Sequence, residues 1–303
     1  MLLKFFLLAL LVGLVAFGCS DNDSIVSSEN SGSEDYSGVS EEFKAYVQDA
    51  IESRNFAPQM DVGEKKFGNS FELIPIEGPT TITEPGAYYL SEDFSAADVG
   101  ISVESDFVVL MLDDHTITGQ GSKSGIGVAV DGSRFVMVHG GRFEMFGTAV
   151  VFNHCDHSSV REIEVVGGDE FADPGNDIAP QIGIMLQNSH HVCVFENDIS
   201  MVNLGIFVRG GGSHHNKVWF NEVVGGDLGL LGICYNPVPD EGDAGPQHDW
   251  VKNNTLERFP TGIQTSEGSE KNRFFFNTIS YFEEAYHDFN GSNLFKHNDA
   301  MQV

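Results

Sequence analysis

Asn197-Asp198-Ile199, Asn221-Glu222-Val223, Asn254-Thr255-Leu256, Asn277-Thr278-Ile279 and Asn298-Asp299-Ala300 repeat one phrase through the second half of the chain. Their asparagines lie 24, 33, 23 and 21 residues apart, which is the period of one solenoid turn and far too long for a helical or heptad repeat. Three positions before each asparagine stands Val194, Val218, Val251, Phe274 or Phe295, and two positions after it Ile199, Val223, Leu256, Ile279 or Ala300. One side of every segment is therefore apolar and must face a core.

A second phrase, glycine followed by a short apolar strand, precedes each rung: Gly183-Ile184-Met185-Leu186, Gly205-Ile206-Phe207-Val208, Gly232-Ile233-Cys234-Tyr235 and Gly262-Ile263-Gln264-Thr265. Less regular copies begin at Gly100, Gly127 and Gly147, and Ala285-Tyr286 is a degenerate last one. Aligning Ile101, Val128, Val150, Ile184, Ile206, Ile233, Ile263 and Tyr286 gives steps of 27, 22, 34, 22, 27, 30 and 23 residues. Strands this short, with no room for crossover helices, can stack only on their own copies. Crossovers between parallel strands are right-handed in nearly all cases. The expected fold is therefore all-β: a right-handed single-stranded parallel β-helix of about eight coils. Like side chains then stack on like, and an internal asparagine column has a purpose, since each amide can bond the next rung and the turn backbone. Ordinary turn asparagines would account for one or two of these positions, and less well for five at one phase.

The 303 residues are 41% apolar, enough for one good core, and helical periodicity is nearly absent after residue 55. With 16 Lys+Arg against 45 Asp+Glu, the formal charge is −29. Nucleic acid is excluded as a partner, because phosphate binding needs clustered cations, and anionic lipid is opposed. A polyanionic glycan would need salt screening or a bridging divalent cation.

Residues 1–19 read as a lipoprotein-type signal peptide. Lys4 is the positive start, Phe5 to Phe17 the apolar run, and Ala16-Phe17-Gly18-Cys19 has the form of a lipobox, which makes Cys19 the lipidated residue. A plain signal peptide and an uncleaved anchor are the alternatives; in the first reading the protein is exported and anchored at a bacterial cell envelope, periplasmic or on the surface. Residues 20–38 form an acidic, Ser-rich tether without Lys or Arg. Residues 39–71 are expected to hold a capping helix and lead-in: Ser40 caps, Glu41 and Glu42 suit the first turn, and Phe43, Tyr46, Val47, Ala50 and Ile51 share a face. Residues 72–303 are the β-helix. The chain stops at Val303 directly after the last rung, so an uncapped C-terminal coil is expected, with a homo-oligomer through it as one outcome. Cys155, Cys193 and Cys234 are odd in number and separate in phase, so buried free thiols are expected rather than a disulfide framework.

Thr81-Ile82-Thr83-Glu84-Pro85-Gly86-Ala87-Tyr88-Tyr89-Leu90, then Val109-Leu110-Met111-Leu112-Asp113-Asp114-His115-Thr116-Ile117-Thr118-Gly119, followed by the two phrases above, resemble the right-handed parallel β-helix repeat proteins. This pectate-lyase-like superfamily includes polysaccharide lyases, epimerases, glycoside hydrolases and non-catalytic NosD-type periplasmic proteins. The resemblance covers roughly residues 72–303 and implies fold more than function. Of the polygalacturonase-type hydrolase motifs only Asp113-Asp114 is present, where a structural turn is the better reading. The Asp-Pro-His signature of alginate epimerases is absent, because Asp173-Pro174 is followed by Gly175.

Two insertions mark the candidate site. Residues 167–181 enter just before the strand from Ile184, and 237–247 just after the strand ending near Tyr235. If both strands share a sheet, the loops flank it from opposite edges and make a groove, where such loops tend to carry function. Strand alternation places Ile184, Leu186, Ile206, Val208, Ile233, Tyr235 and Ile263 inward. It places Met185, Gln187, Phe207, Arg209, Cys234, Asn236 and Gln264 outward. Gln187, Phe207, Asn236 and Gln264 are the expected contacts for an extended polysaccharide, amides for hydroxyls and the ring for a sugar face. Arg209, one of few cations, would neutralise a uronate carboxylate in lyase or epimerase chemistry, with His248 as its catalytic partner; an Arg paired with a loop acid is the structural alternative. Asp173 and Asp177 in the first loop, with Asp240 and Asp243 in the second, could hold Ca²⁺ or form a solvated acidic face. His191, His215 and His248 are expected in one column at roughly 5 Å per step, either as a turn ladder or as a transition-metal site. The functional expectation is an exported β-helix that binds an extended glycan, with cleavage or epimerisation as an extension. The alternatives are a non-catalytic binding or adhesion scaffold and NosD-like metal handling.

Overall fold

The computed structural model describes residues 45, 66–67, 71–121, 125–168, 181–226, 229–237, 245–289 and 291–302. Cys19, the tether and nearly all of the expected cap lie outside them. What is described of the lead-in is an antiparallel pair, Lys66–Phe67 with Phe71–Ile76. No helix among the described residues is long and apolar enough to cross a membrane.

From there the chain is a right-handed parallel β-helix. One side is a nine-stranded parallel sheet of Thr80–Ile82, Val99–Val103, Ile126–Asp131, Thr148–Asn153, Ile182–Gln187, Leu204–Arg209, Leu231–Asn236, Thr261–Thr265 and Glu284–Asp288, each pairing with the next in sequence. The register aligns Ile101, Val128, Val150, Ile184, Ile206, Ile233, Ile263 and Tyr286, as the repeat predicts. One coil was missed: Thr80–Ile82 pairs through Thr80 with Ile101 but lacks the Gly-Ile phrase, so about eight coils becomes nine strands in this sheet.

The other two sides are formed in one early coil by Gly86–Leu90 and Phe94–Ser95, in the next two by single long strands, Val108–Thr118 and Val136–Glu144, and thereafter by pairs such as Ser159–Arg161 with Glu164–Val166 and Cys193–Phe195 with Asp198–Val202. The split falls at the asparagine rung. The residue before each rung, Glu196, Phe220, Asn253, Phe276 or His297, has φ between 54° and 57°. That left-handed residue turns the strand and directs the asparagine inward.

The asparagine column is an internal hydrogen-bond ladder. The Asn197 amide nitrogen donates to Asn221 Oδ1 at 2.8 Å, Asn221 to Asn254 Oδ1 at 2.9 Å, Asn254 to Asn277 Oδ1 at 2.9 Å and Asn277 to Asn298 Oδ1 at 3.0 Å. Each also donates to a carbonyl of the preceding coil, as Asn254 does to Val218 O at 2.8 Å. Buried backbone groups at a corner with no cross-strand partner are thereby satisfied.

The inward columns are fully buried: Ile184, Leu186, Ile206, Val208, Ile233, Tyr235 and Ile263 are all 0% exposed. The glycine preceding each apolar strand is a close-approach position. A Cβ on Gly183 would lie 2.6 Å from both Gly205 O and Ile199 Cγ2, so a methyl group there would separate the coils. Asp113 has φ 48° and pairs with Gly140 at a register shift inside the strand Val108–Thr118, so the pair expected in a structural turn lies at a bulge within a strand. Cys155 and Cys234 are buried free thiols. Cys193 is also buried.

Candidate functional site

The outer face of the nine-stranded sheet assembles the expected polar set. Gln187, Arg209 and Asn236 are direct neighbours on three successive coils. Met185, Phe207, Cys234, Gln264 and His287 form the adjoining column. The Arg209 guanidinium lies over the Phe207 ring, 5.7 Å from its centroid. Its Nε is buried and has no hydrogen-bond acceptor among the described residues. The guanidinium makes no ion pair among the described residues; the loop acids of the structural alternative lie outside them. Cys234 faces outward by register but is only 3% exposed; it is shorter than Phe207 and Gln264 on either side of it. Burial pushes its thiol up to about 12. The polar column extends further than the sequence reading took it, through Asn153 and Asp131, whose side chains are joined at 2.6 Å.

The strands that the insertions adjoin both belong to this sheet: 167–181 precedes Ile182–Gln187 and 237–247 follows Leu231–Asn236, while most of both insertions lies outside the described residues. The first is closed at its base by Gln181, 1% exposed. Its Oε1 accepts from Gly168 N at 3.1 Å, and its own backbone N–H donates to Asn203 Oδ1 at 2.8 Å. The four aspartates proposed for Ca²⁺, Asp173, Asp177, Asp240 and Asp243, lie outside the described residues.

The corner that ends each strand of this sheet carries the histidines. His191 stacks on His215 at 5.4 Å and His215 on His248 at 5.2 Å, the predicted column at the predicted spacing. It continues through His157, 4.5 Å from His191, to Phe135 and Phe107. All of these residues have φ between 47° and 60°. His157 stands six residues before Ile163, the same offset as its stack-mates, but Ile163 replaces asparagine on that rung and hid the signal.

A second column lies beside the first, with isolated bridges joining Arg134, Asp156, His190, His214, Gln247 and Glu270 in turn. His190 and His214 stack at 4.7 Å. Within a coil the paired rings turn their Nδ1 atoms toward each other, 3.1 Å apart in His190/His191 and 2.9 Å in His214/His215. Asp156 Oδ1 lies 2.6 Å from His157 Nδ1, 2.7 Å from His190 Nδ1 and 3.3 Å from His191 Nδ1. Burial opposes ionisation of Asp156, but its hydrogen bonds to His157, His190 and His191 outweigh that and hold its carboxyl well below the usual range. Burial, reinforced by repulsion from His190, His215 and His191, lowers His214 to about 4. His248 belongs to this stack. No hydrogen bond or ion pair among the described residues joins it to Arg209.

No protein-family model matches the chain, and no curated protein matches it. Among solved structures it is similar to a polygalacturonase from Erwinia carotovora ssp. carotovora, at 10% identity and TM-score 0.48 over 69% of this chain and 67% of that one. It is also similar to the tailspike protein of E. coli bacteriophage HK620 in complex with pentasaccharide, at 14% identity and TM-score 0.41 over 74% and 51%. The Dettilon tailspike protein aligns at 14% identity and TM-score 0.43 over 76% and 55%. The chain spans about half the length of these tailspikes. Likeness at this level concerns the fold alone.

Proposed function

We propose that the outer face of the nine-stranded sheet binds an extended glycan containing an acidic sugar, aligned with the stacking direction of the coils. The observation that supports this reading is Arg209. In a chain of formal charge −29, it stands on the sheet face over an aromatic ring, with a buried Nε lacking an acceptor among the described residues and amides in register on both sides. A guanidinium so placed offers a fork to a carboxylate. Phe207 offers a ring face to a sugar, and Gln187, Asn236 and Gln264 offer donors and acceptors to hydroxyls. The polysaccharide association of the polygalacturonase and of the pentasaccharide-bound tailspike points the same way, without bearing on mechanism.

Binding is favoured over cleavage. Cleavage would further need a base within hydrogen-bond reach of the sugar proton, and the residues in register with Phe207 on the adjacent coils are Met185 and Cys234, whose thiol burial pushes up to about 12. The anchor expected at Cys19, with the acidic tether, would hold this face at a cell-envelope surface. Affinity electrophoresis against a panel of acidic and neutral polysaccharides tests the reading. Retention by an acidic glycan, lost in Arg209→Ala and weakened in Phe207→Ala, is expected. Retention that both variants preserve would move the site elsewhere.

A further inference from the structure

The structure assigns a second site: we propose that Asp156, His190 and His191 bind a transition-metal dication through one carboxylate oxygen and two imidazole Nδ1 atoms, with a coordination position left open. This site is distinct from the glycan face and does not depend on it.

Geometry carries the proposal. Zinc-type bonds of about 2.0–2.1 Å to nitrogen and oxygen in a tetrahedron place ligand atoms about 3.3 Å apart. The three donor atoms here are separated by 2.7, 3.1 and 3.3 Å, and they form a cluster of metal-ligand type. Two neutral imidazoles facing each other through Nδ1 have at most one proton to place between them usefully. A cation accepts both lone pairs.

The site is also pre-organised. Asp156 and His190 are bridged on adjacent coils. The backbone is fixed by His157 N donating to His190 O, His190 N to Cys155 O and His191 N to His214 O. The ring of His191 is held between His157 and His215. Arg134, the neighbour of Asp156 in the column, has its guanidinium bound to Asp106 at 2.9 Å and 3.0 Å. The side chains of His190 and His191 are 36% and 41% exposed, so an ion can enter and a water can take the open position. Two imidazoles with one carboxylate suit zinc, cobalt, nickel or copper rather than calcium or magnesium. Strong net negative charge favours any dication.

The test uses full-length, tag-free protein stripped with a chelator, titrated with Co²⁺ by visible spectroscopy and with Zn²⁺ by equilibrium dialysis. One ion per chain is expected, with intense visible Co²⁺ bands of a low-coordinate nitrogen-containing site. His190→Ala should abolish uptake at concentrations that saturate the parent protein. Asp156→Asn, which retains the shape of the carboxylate, should weaken it by at least about ten-fold. His248→Ala, in the same stack but outside the triad, should leave uptake unchanged. Should His190→Ala fail to fold, as judged by its thermal transition, Asp156→Asn and His191→Gln decide. No uptake by the parent, uptake insensitive to the triad variants, or equal loss with His248→Ala would overturn the assignment.

Discussion

Asp249→Asn should make the protein more stable at alkaline pH and remove much of the pH dependence of its stability. Asp249 occupies a column otherwise held by Asn216, Asn272 and Asn293, is 0% exposed, and accepts from the Asn216 backbone N–H at 2.6 Å. Its own N–H donates to Asn272 Oδ1 at 2.9 Å. Burial raises its pKa from 3.8 to about 8, against the lowering effect of the Asn216 hydrogen bonds. An acid with a raised folded-state pKa binds a proton more tightly when folded. Its contribution is therefore complete below the unfolded value of 3.8 and is lost as pH rises toward about 8. At about 1.4 kcal/mol per pKa unit, the loss between about pH 4.5 and pH 8 is roughly 4 kcal/mol. An asparagine keeps the acceptor, supplies the donor that Asn216 and Asn272 use toward Ser189 O and Pro246 O, and does not titrate. Urea denaturation of parent and variant at both pH values isolates this residue, because all other titrations cancel in the difference. A difference between the two ΔΔG values below about 1 kcal/mol, or a variant less stable than the parent at pH 8, would refute the reasoning.

Asn254→Ala removes an amide with four hydrogen bonds inside the ladder and strands buried groups. It should lower stability by about 3–5 kcal/mol, and Asn298→Ala, at the half-buried end of the ladder, by less; paired denaturation curves check the order. Cys155 and Cys234, both pushed by burial to about 12, should resist iodoacetamide at pH 8 in the folded protein and react in urea, as mass spectrometry would show. Cys19→Ser should shift the protein from the membrane fraction to the soluble fraction of an expressing bacterial cell, read by immunoblot.

The fold was legible because a β-helix writes its period into the sequence. Stacked asparagines and the Gly-Ile phrase recur only when each coil sits on its copy, and the inward set followed from alternation. Thr80–Ile82 escaped because its coil lacks both phrases, and His157 escaped because Ile163 stands on its rung. The outward columns were readable up to Cys234, whose burial depends on the size of its neighbours rather than on its phase. The histidine column was predicted at its spacing. The second column was not, because Asp156, His190 and His214 become neighbours only when the left-handed corner residue sets adjacent side chains face to face. That geometry also puts the cluster of metal-ligand type at Asp156, His190 and His191 rather than along the predicted column of His191, His215 and His248.

The glycan reading is tested most directly by titrating the full chain with acidic oligosaccharides, comparing the parent with Arg209→Ala, while following the ultraviolet absorbance of unsaturated uronate ends. Saturable binding by the parent, lost in the variant, with no rise in absorbance, is the predicted result. Binding of equal strength in both proteins would contradict the placement of the site, and an Arg209-dependent rise in absorbance would contradict the assignment of binding without cleavage.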